Sequence, residues 1–87
     1  MNIDIIWERI CKNEGEIFRQ IRGKEFTYTV NGNSIKLSTT NYNIAKSTFE
    51  KALEFLPLEN TVSIQHLSAP SYLYAILTDE RICNNDF

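Results

Sequence analysis

Apolar and polar positions alternate along this chain in two different periods, and each change of period marks a change of element. Ile3, Ile6, Trp7, Ile10 and Cys11 recur at helical spacing, which predicts a first helix over residues 3–13. Asn2 stands where its side chain can cap that helix, Asp4 falls in the first turn where negative charge suits the dipole, and Gly15 is a natural stop. Trp7 is expected as the largest core anchor of this helix. Glu16–Arg22 reads as a strand with imperfect alternation: Ile17 and Ile21 share a face with Arg19, while Phe18 points the other way. An inward-pointing charge of that kind suits an edge strand. Phe26, Tyr28 and Val30 then alternate strictly with Thr27 and Thr29, and Asn31-Gly32 supplies a tight hairpin turn. Ser34–Ser38 follows, with Ile35 and Leu37 on one face and Ser34, Lys36 and Ser38 on the other. The predicted unit is a three-stranded antiparallel meander with one apolar face.

Thr39–Asn43 reads as a polar loop whose last residue caps a second helix. Ala45, Phe49, Ala52, Leu53 and Leu56 form that helix's apolar stripe, and Pro57 ends it. Val62 and Ile64 alternate with Ser63 and Gln65, consistent with a short fourth strand or an extended loop. A third helix starts at Ser68-Ala69-Pro70, carries Leu73, Ile76 and Leu77 inward, and ends at Asp79–Arg81. A three-stranded sheet cannot stand alone, so helices must cover its apolar face. The fold class that results is α+β: one small domain over residues 1–87, with an ordered core at 3–82 and a frayed tail at 83–87.

With 43% hydrophobic and 11% aromatic residues the chain can bury a core, which sets it apart from disordered compositions. Net charge is −2, but unevenly spread: residues 1–38 hold six basic against five acidic groups, residues 39–87 three against six. That balance argues against a dedicated high-affinity DNA binder, whose phosphate contacts show as a basic face. Cys11 and Cys83 sit in no ligand spacing and read as incidental thiols of a reducing compartment. No apolar run reaches membrane-spanning length and the N-terminus lacks the features of a signal peptide, so a soluble, cytoplasmic protein without membrane contact is expected.

Chemistry is sparse. His66 is the single histidine and has no Cys, Asp or second His at metal-ligand spacing. Gly15, Gly23 and Gly32 are isolated, so no phosphate-cradling loop exists. No enzyme activity, metal or cofactor is expected. The outer sheet face is the more informative surface. Thr27, Thr29, Ser34, Lys36 and Ser38, with Arg22 and Lys24 at the neighbouring turn, would present hydroxyls and positive charge together. Those groups contact nucleic-acid backbones, and Tyr42 in the adjoining loop could stack on a base. The same residues also suit a plain solvated strand face. In the third helix Tyr72 and Tyr74 lie two apart and cannot share one core face, so one of them is expected at the surface as a site for a protein partner or a homodimer.

The stretches FTYTVNGNSIKLSTTNYNIAKSTFEKALE and PSYLYAIL together resemble a family of small uncharacterised bacterial proteins, some linked to DNA-related proteins. The resemblance spans Trp7 to about Ile82 and implies a fold more than a chemistry; it carries no catalytic residue across. In that family the loop before the second helix holds arginines where this chain has Thr39 and Tyr42, a departure that counts against a backbone-binding role for the loop. Three functional readings follow. The first is a non-catalytic accessory or interaction module of a bacterium or mobile element, contacting nucleic acid through the outer sheet face. The second is a structural protein-binding or self-associating domain with no nucleic-acid role. The third is a small acidic inhibitor of a DNA-acting enzyme.

Overall fold

In the computed structural model, which describes residues 2–83, the first helix, α1, runs Ile3–Lys12. The Asn2 side chain accepts from the Asp4 backbone N–H at 2.8 Å, satisfying one of the orphan donors of the first turn. Ile6, Trp7 and Ile10 are the buried residues of its stripe. Of the expected frayed tail at 83–87, Cys83 is half-buried against the core with its N–H donating to the Asp79 carbonyl at 2.9 Å, and the rest lies outside the described residues.

Two antiparallel sheets follow. Phe18–Arg19 (β1) pairs with Glu25–Phe26 (β2), and Tyr28–Asn31 (β3), Ser34–Leu37 (β4) and Asn43–Ala45 (β5) form a second sheet in that order. The α+β class therefore holds, but the membership of the three-stranded sheet is different from the expected meander. Its third strand is Asn43–Ala45, in register Ser34↔Ala45, Ile35↔Ile44 and Lys36↔Asn43, while Glu16–Arg22 contributes only a two-residue strand to a separate ribbon. Parity is reversed there as well. Phe18 is the buried residue, and Ile17 and Ile21 are 57% and 64% exposed. A slip of one residue moves a strand's whole apolar set to the other face. The β3–β4 loop is Gly32-Asn33 rather than Asn31-Gly32, since Asn31 pairs with Ser34. Gly32 takes the positive φ, at 60°, as the first loop position of a type II′ turn demands.

β5 leads directly into the second helix, α2 (Lys46–Leu53). Asn43 is therefore a strand residue and not the helix cap; Ala45 holds the cap position without a side-chain bond. The helix also stops short of Leu56, unwinding through bonds from the Phe55 and Leu56 N–H groups to the carbonyls three residues back. A residue before proline is pushed out of the α region, so Pro57 shortens the helix from outside it. Val62–Ile64 is a single 3₁₀ turn, with Val62 69% exposed and Ile64 fully buried, so no fourth strand forms there.

The third helix, α3, runs Pro70–Leu77 with proline in its first turn, as expected. Ala69, immediately before it, lies in the left-handed region at φ 50°, ψ 56°. A side chain with a Cβ adopts that conformation at a cost of about 1–2 kcal/mol, so the surrounding contacts must hold it there.

One continuous core joins these elements. Tyr28, Ile35, Leu37 and Ile44 point inward from the sheet, and α1 and α2 meet across the Trp7–Phe49 ring contact, with centroids 5.9 Å apart. Tyr28 sends its hydroxyl through the core to donate to the Ile10 carbonyl of α1. Burial pushes its phenol well above the ordinary range, so it stays a neutral donor. α3 packs by its flank on the β1–β2 ribbon: Phe26 meets Tyr72 edge-on at 4.9 Å, and Arg81 lies 4.0 Å over the Phe18 ring.

Candidate nucleic-acid interface

The outer face of the larger sheet is built by strand pairing alone. Register places Thr29 opposite Lys36 and Lys36 opposite Asn43, so a threonine, a lysine and an asparagine stand in one row across three strands. All three are exposed, while their in-strand neighbours Tyr28, Leu37 and Ile44 are buried. This is the period-two alternation of a half-buried sheet.

Next to that row the chain leaves β4 and turns through Ser38–Asn41 before entering β5. The turn is closed at its base by Leu37 N–H donating to the Tyr42 carbonyl at 3.1 Å. Thr27 and Ser38 are tied twice: the Ser38 N–H donates to the Thr27 carbonyl at 3.0 Å, and the Thr27 N–H donates to Ser38 Oγ at 2.9 Å. Between strand face and turn lies an open groove of about 540 Å³. Thr27, Tyr28, Thr29, Lys36 and Leu37 line it from the strands and Ser38, Thr39, Thr40 and Asn41 from the turn, Tyr28 and Leu37 being buried.

The chemistry of the lining is uniform. Five of its nine residues carry an aliphatic hydroxyl, Asn41 adds an amide, and Lys36 is the one charged residue. No carboxylate, imidazole or thiol faces it. Hydroxyls and amide N–H groups donate to phosphate and sugar oxygens, and the ammonium supplies a point charge. Lys36 makes no ion pair or hydrogen bond among the described residues, so its charge is available.

Of the six residues singled out for nucleic-acid contact, the fold brings Thr27, Thr29 and Lys36 into this groove. Tyr42 lies at the end of the turn, 51% exposed, beside the groove but not in its lining. Arg22 and Lys24 are exposed in the β1–β2 turn, which closes through Gln20 N–H to the Lys24 carbonyl at 2.9 Å, and neither reaches the lining. Of the turn residues in the lining, sequence reasoning singled out Ser38 on the outer face but missed Thr39, Thr40 and Asn41, which give no periodic signal.

Tyr72 and Tyr74 are both half-buried. Tyr74 donates to the Glu59 carbonyl at 3.3 Å, and the Tyr72 hydroxyl lies 2.7 Å from Thr39 Oγ1. Large exposed apolar residues occur elsewhere, at Ile17, Ile21 and Val62. His66 is exposed and stands edge-on to the Phe55 ring at 5.3 Å. Among the described residues no three His, Cys, Asp or Glu side chains gather to hold a metal ion. Cys11 and Cys83 are half-buried, and burial raises the Cys11 thiol above its ordinary range. Among the described residues no helix is long and apolar enough to cross a membrane.

Comparison with family models, with curated proteins and with solved structures finds no match to this chain. The functional reading therefore rests on the groove itself.

Proposed function

We propose that this chain is a non-catalytic accessory module that contacts single-stranded nucleic acid through the groove between the β3–β4 face and the Ser38–Asn41 turn. The observation that supports this most is the lining: five aliphatic hydroxyls, one amide and a lysine unpaired among the described residues, with no carboxylate to repel a phosphate. A single ammonium is too small a footprint for a duplex, whose recognition draws on many phosphate contacts. It suits a short run of single strand, with Tyr42 placed at the groove's end to stack on a base.

Binding of a fluorescent oligothymidine by the whole chain tests the reading. Lys36 alone, or Lys36 with Arg22 and Lys24, implies a dependence of log affinity on log salt with a slope of roughly −0.7 to −2. Lys36→Glu reverses the one charge in the lining and is expected to weaken binding about tenfold or more at low salt. No retention of the oligonucleotide at low salt, or equal binding by Lys36→Glu, removes the proposal.

A further inference from the structure

The Ser38–Asn41 wall has few anchors of its own. Its two ends are fixed by the Thr27–Ser38 and Leu37–Tyr42 bonds, but its middle is held by one long-range side-chain contact, the 2.7 Å bond between Thr39 Oγ1 and the Tyr72 hydroxyl. Tyr72 is itself held on two sides. Its ring sits edge-on to Phe26 at 4.9 Å, an arrangement aromatic pairs favour. Its backbone N–H donates to the Ala69 carbonyl at 3.1 Å, as does that of Leu73, so the left-handed Ala69 sets where the first turn of α3 begins. A connected path thus runs from a strained residue, through a packed ring, to the wall of the groove.

We infer that Tyr72 is the positioning residue of the groove: its hydroxyl holds Thr39 and with it the hydroxyl-bearing wall in the binding arrangement before any ligand arrives. This deepens the nucleic-acid reading and rests on it for the identity of the ligand. The physical reason is pre-organisation. A loop already ordered in its bound conformation does not lose its freedom on binding, whereas a loose one does. The same contact gives Tyr72 a role inside the chain in place of a partner's surface.

Two conservative variants test it. Tyr72→Phe keeps the ring on Phe26 and deletes only the hydroxyl; Thr39→Val deletes the other half of the bond. Backbone order parameters of Thr39–Asn41 are measured in the ligand-free protein, and affinity for a short oligothymidine in parallel. The expected result is lower order in the loop for either variant and roughly three- to tenfold weaker binding, from the loss of one hydrogen bond. The double variant loses no more than either single one, because both remove the same contact. Unchanged loop order in Tyr72→Phe, or losses that simply add in the double variant, overturn the positioning role. If the loop loosens as expected but the unmodified protein retains no oligonucleotide, the nucleic-acid reading fails and the positioning role stands. If the protein binds and Tyr72→Phe binds equally with its loop intact, the reverse holds.

Discussion

Replacing Phe49 by alanine is expected to cost about 3–5 kcal/mol. Phe49 is 0% exposed on α2 and meets Trp7 of α1 at 5.9 Å with rings tilted by 56°. Its ring is the packed contact between the two helices, which the Lys46–Asp4 ion pair at 3.0 Å also joins. Alanine would leave a void lined by the Trp7 ring and the surrounding core, which can collapse only partly because its other walls are strands in fixed register. A domain of 87 residues has a total stability of roughly 4–13 kcal/mol, so the loss is a large share of it. Thermal unfolding followed by circular dichroism should show a midpoint lowered by roughly 12–40 °C. A drop of less than about 5 °C would mean that α1 and α2 are held together by something other than this contact.

Arg81→Ala is the second large effect, about 2 kcal/mol. Arg81 pairs with Asp79 only two residues away, and that local pair adds little by itself. What the substitution removes is the reach across to β1: a 2.8 Å bond to the Ile17 carbonyl and the guanidinium 4.0 Å over the Phe18 ring. These are the contacts that fasten the end of α3 to the ribbon. The arginine also leaves a signature in pH. Its hydrogen bond to Asp79 lowers that carboxyl from its ordinary value of 3.8, so the folded state holds the charged form more firmly than the unfolded one. A depressed acid contributes stability that is fully present above its unfolded value and is lost as pH falls through the folded one. The unmodified protein should therefore lose this increment only below about pH 4, and in Arg81→Ala that part of the acid limb should shrink to what the residue-81 backbone N–H, which still donates to Asp79, sustains. An acid limb of unchanged shape in the variant would contradict the assignment.

Much of this architecture is legible in the sequence wherever a full period fits inside an element. α1 shows five apolar positions at helical spacing behind an Asn2 cap, and the structure keeps both. Phe26 to Leu37 alternates from β2 through the β3–β4 hairpin, and the residues of that run that reach the groove with outward polar groups, Thr27, Thr29 and Lys36, were readable as the outward set. Where elements are shorter than a period the pattern is silent. Asn43–Ala45 presents one inward side chain, Ile44, to the core, and a single apolar residue among polar ones looks like a loop with a helix cap. Phe18–Arg19 has the same difficulty, and there the two exposed isoleucines on either side outvote the one buried phenylalanine. The Thr39–Asn41 part of the wall and its tie to Tyr72 were beyond local reading. That contact joins residues 33 apart in the chain, and nothing in the spacing of threonines and tyrosines announces it.

The groove's role as a nucleic-acid contact is tested most directly by mapping amide chemical shifts while a short oligothymidine is titrated into the protein at low salt. The account predicts shifts that saturate and concentrate on Thr27, Thr29, Lys36 and Ser38–Asn41, extend to Tyr42, and reverse as salt is raised. Shifts confined to other surfaces, such as the Ile17–Lys24 ribbon, or no shifts at all, would contradict it.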